Sequence, residues 1–219
     1  MWQLAAFNQG AVLGQIPDPA VRRGVCAALC DMWINLMQDA RARKPEDRMD
    51  SLRATISMTI RRQKSYKEQV REKGRQAGRE FLSRGFGMEV EEQTRILRRF
   101  TGRTGMVLQM QKDLEVPGAR VGWSLLFHGG GAHALAGCNE FTMITTNIMR
   151  RTVHLFDPNI GEYVGQPQDV PAIVDDMFRR IPGYNRVETM ERRVVTVLGE
   201  DGEDDEKTDP FAMPWDKKK

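Results

Sequence analysis

A cysteine near the start of a predicted helix is the first candidate for chemistry in this chain. Apolar residues after Cys26 recur at helical spacing, and Pro17 and Pro19 break regular structure just upstream. Cys26 would then lie in the first turn, where free N–H groups and the helix dipole stabilise a thiolate. A lowered thiol pKa would make Cys26 a nucleophile near neutral pH. The alternative interpretation is a small buried residue of a core helix.

A nucleophilic cysteine requires a base, usually histidine, and a third group that orients the base. Of the three histidines, His133 follows a glycine triplet, and its small neighbours leave room for another segment to approach. His128 is expected in a loop or at the surface, and His154 lies inside an alternating β pattern that is typical of a structural histidine. Asp157 begins the turn Asp157-Pro158-Asn159, from which its carboxylate could hold one tautomer of the base.

The composition limits the fold classes and cofactors that are possible for this chain. With 219 residues and 40% hydrophobic content, the chain predicts one large domain over residues 1–199, followed by an acidic and disordered tail over 200–219. The cysteines are too few and unpatterned for a disulfide framework or a zinc module, and we expect neither a metal nor another cofactor. The first residues, Met1-Trp2-Gln3-Leu4, do not form the basic n-region of a cleavable signal peptide, so such a signal is not expected.

The order of the predicted elements indicates an α+β fold, with a helical first half and a strand-rich second half. An irregular lead-in over residues 1–23 precedes a helix from about Val25 to Ala42. Helical patterns continue over about 44–103 and include a piece from Val90 to Phe100. A further helix is predicted from Val170 to about Arg180. The predicted strands lie at 121–127, 132–137, 141–148, 153–156, 161–164 and 194–198.

The segment 44–103 is strongly basic. From Arg41 to Arg103 there are 18 Lys and Arg residues against nine Asp and Glu residues. This surplus fits a solvated helix surface, and it also fits contact with an acidic membrane surface or an acidic partner. Nucleic-acid binding is not expected, because the segment lacks interleaved aromatic residues and a recognisable binding module.

Three blocks of sequence occur in this order: Gly24-Val25-Cys26-x-x-Leu29-x-x-x-Trp33-Ile34, Gly131-Ala132-His133-Ala134 and Phe156-Asp157-Pro158-Asn159-x-Gly161-Glu162-Tyr163. Together they resemble the YopT/AvrPphB family of bacterial effector cysteine proteases. That family has a papain-like fold, in which the nucleophile helix packs on an antiparallel sheet that carries the catalytic His and Asp. The resemblance implies Cys26 as nucleophile, His133 as base and Asp157 as the orienting group.

The resemblance also implies an oxyanion donor upstream of the cysteine, in a segment of the type Phe-x-Gln. Gln9 in Phe7-Asn8-Gln9 is the candidate, with Asn8 and Gln15 as alternatives. An amide N–H and the Cys26 backbone N–H would together stabilise a tetrahedral oxyanion.

The activity implied by the resemblance is that of an effector protease with a protein substrate in a host or competitor cell. Such a protein would be made in the bacterial cytoplasm and secreted by a specialised system without a cleavable signal peptide. A chaperone or an immunity protein could accompany it. Two other functions remain open from the sequence: deamidation of Asn or Gln in a target such as a Rho-type GTPase, and a non-catalytic binding module that retains the fold.

Overall fold

The computed structural model describes residues 3–14, 24–39, 44–145 and 148–198. Within these ranges seven helices accompany one seven-stranded sheet. The helices are α1 (Gln9–Leu13), α2 (Cys26–Leu36), α3 (Pro45–Ala54), α4 (Ile56–Lys73), α5 (Arg75–Gly85), α6 (Arg98–Glu115) and α7 (Val170–Arg180). The strands are β1 (Gln3–Ala6), β2 (Met88–Leu97), β3 (Arg120–Phe127), β4 (Ala132–Thr145), β5 (Ile148–Asp157), β6 (Gly161–Gly165) and β7 (Val187–Val197).

The strand order is β1-β6-β5-β4-β3-β7-β2, and every neighbouring pair is antiparallel. The β5–β6 hairpin turns at Asp157, opposite Gly161. Gly161 has a φ of +128°, and the carbonyl oxygen of Ala5 leaves no space for a Cβ there, so β1 can add to β6 at this edge. The predicted α+β class, with an antiparallel sheet against a helical layer, is confirmed.

Both faces of the sheet are buried. One core fills the space between the sheet and α2–α5, and a second core lies between the sheet and α6 and α7. Because side chains alternate along a strand, Ala134 and Ala136 of β4 face the first core, and Leu135 faces the second. The small side chains at 134 and 136 allow α2 to approach the sheet closely.

Helix α2 lies at the centre of the first core. All of its residues are buried except Cys26 and Asn35, which are partly exposed. The chain enters the helix through Gly24, whose φ of +88° lies in the region that favours glycine. Cys26 is therefore the point at which an otherwise buried helix reaches the surface.

Some predicted elements were wrong. The segment from Val90 to Phe100 was expected to be helical, but Met88–Leu97 forms strand β2, paired along its length with β7. The lead-in over 1–23 was expected to be irregular, but it contains β1 and α1. No helix was predicted over residues 104–115, but Arg98–Glu115 forms helix α6, whose buried side chains include Met106, Val107, Met110 and Leu114.

The basic segment 44–103 is therefore three helices followed by a strand and the start of α6. The helical pattern is interrupted at Thr55 and again at Gly74, where φ is +90°. No helix in the described part of the chain is long and apolar enough to cross a membrane. The predicted acidic tail over 200–219 lies outside the described residues, and the domain bounds stay a prediction.

Candidate active site

Cys26 is the first residue of α2, and two glutamine side chains bond to the N–H groups on either side of it. The Val25 N–H donates to Gln9 Oε1 at 3.1 Å, and the Ala28 N–H donates to Gln63 Oε1 at 3.0 Å. Within the described residues, the N–H groups of Cys26 and Ala27 have no hydrogen-bond partner in the protein. The helix start therefore presents free donors next to the thiol, as at other anion-binding helix N-termini.

His133 lies between the thiol and a carboxylate. The register pairs Ala136 of β4 with Phe156 of β5, so Asp157 at the end of β5 lies beside the start of β4. His133 Nε2 is 2.9 Å from Asp157 Oδ1, and the Cys26 thiol is near enough to the His133 ring to raise its pKa. The three residues that the sequence singled out are thus brought together, in the order thiol, imidazole, carboxylate.

The Asp157 carboxylate is fully buried and accepts hydrogen bonds on both oxygens. Oδ1 accepts from the Asn159 N–H at 2.8 Å as well as from His133, and Oδ2 accepts from the Tyr184 hydroxyl at 2.7 Å. These donors fix the carboxylate in one orientation, so it can hold the imidazole by its Nε2.

Tyr184 is a site residue that the sequence analysis missed. Its ring stacks on His133 with centroids 5.3 Å apart, while its hydroxyl bonds Asp157. It lies in a short 3₁₀ turn, Pro182–Arg186, between α7 and β7. The Pro182-Gly183 pair signals a turn, but nothing local indicates that this turn folds back onto the site.

Gln9 lies beside the helix start, as the resemblance implied. Its backbone N–H donates to the Pro158 carbonyl at 2.7 Å, and its Nε2 donates to Asn159 Oδ1 at 2.7 Å. The turn that orients Asp157 therefore also positions Gln9. The alternative Asn8 is exposed, and its Oδ1 caps α1 by accepting from the Ala11 N–H. Gln15 lies outside the described residues.

The electrostatics of the site favour a charged thiol–imidazole pair. Burial alone would raise the pKa of the Cys26 thiol, but the hydrogen bond and charge of His133, the Ala134 N–H and the charge of Arg79 together lower it. Burial alone would lower the pKa of the His133 ring, but the charge and hydrogen bond of Asp157 and the contact with Cys26 raise it to about 10. A thiolate beside an imidazolium is the form that attacks a carbonyl.

Two cavities meet at His133, and Cys26 lines one of them. The Gln9 cavity has a volume of about 440 Å³, and the Arg79 cavity has a volume of about 470 Å³. His133 and Ala132 line both. The Gln9 cavity is also lined by Gln9, Leu13, Phe127, Asn159, Ile181 and Tyr184, and the Arg79 cavity by Cys26, Gln63, Tyr66, Lys67, Arg75 and Arg79. A chain that crosses Cys26 would occupy both, which is the geometry of a peptide-binding cleft.

The other cysteines and histidines lie in different environments. Cys30, one turn after Cys26, and Cys138 are buried, and burial raises the pKa of both thiols. His128 is exposed and pairs with Glu188. His154 is buried, with its Nδ1 2.8 Å from Glu162 Oε1. Among the described residues, no group of three or more His, Cys, Asp or Glu side chains could hold a metal ion.

Comparison with solved structures supports the fold. No protein-family model and no curated protein matches the sequence. The chain is similar to the crystal structure of the Pseudomonas avirulence protein AvrPphB, with a TM-score of 0.63 and 19% identity over 82% of this chain and 95% of that one. It also matches PatoxP, a cysteine protease-like domain of the Photorhabdus asymbiotica toxin PaTox, with a TM-score of 0.48 and 9% identity over 88% of this chain and 53% of that one. The fold expected from the resemblance to the YopT/AvrPphB family is therefore confirmed by its likeness to AvrPphB.

Proposed function

We propose that this protein is a cysteine peptidase that cleaves a protein of a target cell through Cys26, His133 and Asp157. The observation that carries the proposal is the contact chain from a partly exposed thiol, through His133, to a buried carboxylate, at the junction of two cavities. A buried structural cysteine has no need of such a base and cleft.

Acylation begins when the Cys26 thiolate attacks the substrate carbonyl carbon and the C=O electron pair moves to oxygen. The Cys26 N–H and a Gln9 Nε2 hydrogen stabilise this oxyanion, and one such donor contributes roughly 3–4 kcal/mol. The His133 imidazolium then gives its proton to the leaving nitrogen as the C–N bond breaks. An amine product leaves, and the acyl group stays on Cys26 as a thioester.

Hydrolysis of the thioester completes the cycle. Neutral His133 takes a proton from water while the water oxygen attacks the thioester carbon. The C–S bond breaks, a carboxylic acid product leaves, and the Cys26 thiolate is restored beside the His133 imidazolium. Asp157 holds the ring through Nε2 in both steps and stabilises its charged form.

The biological setting is part of the same proposal. The resemblance of the three sequence blocks and the likeness of the fold to an avirulence protein support a secreted bacterial effector that acts in a host or competitor cell. Contact of the basic segment 44–103 with an acidic membrane surface, and binding of a chaperone or an immunity protein, remain predictions from the sequence.

Mass spectrometry of target-cell lysate tests the proposed chemistry. Lysate treated with the wild-type protein should contain a protein cut into two fragments with a new N-terminus, and Cys26→Ala should abolish the cut. Cys30→Ala, which removes a buried thiol one turn away, is the matched control and should retain activity. A mass increase of about one dalton without fragments would instead identify deamidation through the same acyl chemistry. Equal activity of Cys26→Ala and wild type would refute the proposal.

A further inference from the structure

The two cavities that meet at His133 differ in charge. Among the described residues that line the Arg79 cavity there are three cations, Lys67, Arg75 and Arg79, and no acidic side chain. The described lining of the Gln9 cavity consists of amide, apolar and aromatic side chains, with Arg186 as its one charged residue apart from the shared His133. A substrate that crosses Cys26 therefore meets positive charge on the side of α4 and α5.

Arg79 is the most deeply placed of the three cations. It is only 7% exposed, its Nη2 donates to the Ser124 hydroxyl, and its guanidinium carbon is 5.0 Å from the centre of the Tyr66 ring. Among the described residues, no carboxylate lies within ion-pair distance of it. The nearby acid, Asp31, pairs with Arg193.

A guanidinium with only neutral hydrogen-bond partners is costly to bury. Arg79 is also one of the residues that line the cavity containing the Cys26 thiol. An anionic side chain that entered the cavity would supply the missing carboxylate partner. A carboxylate also fits the planar, forked donor geometry of arginine.

The other two cations border the same space. Arg75 lies one turn before Arg79 on the same face of α5, and its pairing with Glu191 at 3.4 Å is partly exposed. Lys67 Nζ is 3.4 Å from the carbonyl oxygen of Gly24, two residues before Cys26. The positive charge thus extends from the outer end of α5 to the entrance of the nucleophile helix.

We propose that the Arg79 cavity is a substrate subsite that binds an Asp or Glu side chain within two residues of the scissile bond. Arg79 forms the principal ion pair with the substrate carboxylate, and Lys67 and Arg75 add to the local positive charge. The distance limit follows because the cavity borders Cys26 itself, and an extended chain advances only about 3.3–3.6 Å per residue. This inference rests on the proposed peptidase activity.

A synthetic peptide library with mixed residues around each potential cleavage site tests the subsite. The cut peptides should be enriched in Asp or Glu within two positions of the cleaved bond. When that acid is replaced by Asn in a purified peptide, kcat/KM should fall roughly 10- to 100-fold, which is the range for a hydrogen bond to a charged group. The loss should be mainly in KM, because the carboxylate binds away from the reacting carbonyl.

Two arginine variants test whether the preference for an acidic substrate residue arises in the Arg79 cavity. Arg79→Gln should reduce the Asp-to-Asn ratio of kcat/KM to within about twofold. Arg71→Gln is the matched control, because Arg71 is an exposed residue of α4 that does not line the cavity, and it should retain the wild-type ratio. Lys67→Gln is a second test that leaves the buried Arg79 intact, and it should reduce the ratio partly.

The outcomes separate the subsite from the peptidase activity on which it rests. Cleavage that depends on Cys26 but shows no acidic preference would overturn the subsite alone, and so would an unchanged ratio in a folded Arg79→Gln protein. Absence of Cys26-dependent cleavage from every pool would overturn both proposals. The preference of the wild-type protein for Asp or Glu near the cleaved bond tests the subsite even where an arginine variant fails to fold.

Discussion

His133 and His154 lie on neighbouring strands and each faces a carboxylate of the β5–β6 hairpin. His133 Nε2 is 2.9 Å from Asp157, and His154 Nδ1 is 2.8 Å from Glu162. In both pairs, burial acts to lower the imidazole pKa, and the carboxylate neighbours outweigh it and raise the pKa. A buried histidine–carboxylate pair therefore occurs twice in the same sheet.

The two pairs differ in the group that lies next to the second imidazole nitrogen and in the donors that the carboxylate accepts from. His133 faces a partly exposed thiol, and Asp157 accepts only from neutral groups besides the ring. His154 Nε2 is instead 3.3 Å from Glu140. Among the described residues, the first pair alone has a partly exposed thiol and an adjoining cavity, so in the proposed mechanism it is His133 that would move protons to and from a substrate.

Glu162 acts as a buried anchor for the nucleophile helix. Its carboxylate accepts from Trp33 Nε1 of α2 at 2.8 Å and from Arg48 Nε of α3 at 2.9 Å. Trp33 also stacks on Phe156, the residue before Asp157. The second histidine–carboxylate pair thus fixes α2 against the sheet, which is what keeps Cys26 near His133.

Substitution of the two histidines should separate catalysis from stability most clearly. His133→Ala removes the base, and kcat/KM should fall by roughly 10²–10⁴ even at temperatures where the variant is fully folded. His154→Gln should instead lower the melting temperature and retain most activity at temperatures where the variant is folded. Steady-state kinetics and circular dichroism measure both effects. Equal losses of activity in the two variants, measured while both are folded, would contradict a catalytic role for His133 and a structural role for His154.

Removal of the negative charge of Glu162 should produce the next largest effect, a loss of folding stability. Glu162→Gln leaves the buried Arg48 without its carboxylate, and the free energy of unfolding should fall by about 3–5 kcal/mol. Urea denaturation followed by circular dichroism measures the loss. The matched control is Glu188→Gln, which breaks an exposed pair with His128 and should cost no more than about 1 kcal/mol. Similar losses in both variants would show that Glu162 is not an anchor.

The sequence predicted elements where local patterns and the final environment agree. The cysteine helix, the Asp157 turn and helix α7 were all recognisable from apolar spacing and turn residues. Strand β2 was not, because Glu and Gln favour helix in isolation, whereas its pairing with β7 places them on a charged edge strand. The alternation of Met88 and Val90 with Glu89 and Glu91 was the available signal.

The parts of the site that the sequence did not predict depend on distant contacts. Gln63 lies 35 residues from Ala28, and Tyr184 lies 27 residues from Asp157. No local spacing connects such pairs, since each contact exists only after the helical layer and the 3₁₀ turn have packed onto the sheet. The three triad candidates could be singled out because each one lies in a recognisable local motif, and their catalytic roles stay predictions.

Tyr184 offers a narrower test of how Asp157 is held. Tyr184→Phe keeps the ring on His133 and removes the hydroxyl donor to Asp157, so kcat should fall roughly tenfold with little change in KM. Tyr163→Phe is the matched control, because the Tyr163 hydroxyl bonds Asp176 of α7, away from the triad. An unchanged kcat in Tyr184→Phe would show that the remaining donors suffice to orient Asp157.

The pH dependence of thiol alkylation should show the smallest of these effects. Iodoacetamide reacts with the thiolate, so the lowered pKa of Cys26 should keep the alkylation rate high below the ordinary cysteine pKa of about 8.5. The rate should fall only as pH drops through that lowered pKa. Peptide hydrolysis should also decline as pH rises past about 10, where His133 loses the proton that it gives to the leaving nitrogen.

Two variants rank the causes of the lowered thiol pKa. His133→Ala should move the alkylation midpoint to higher pH, and Arg79→Gln should move it in the same direction by less, because the Arg79 charge is the weaker influence. Both are measured in a background that carries Cys30→Ala and Cys138→Ala, so that the mass added on alkylation is followed at Cys26. A larger shift in Arg79→Gln than in His133→Ala would mean that the cationic cavity, rather than the histidine–carboxylate pair, activates the nucleophile.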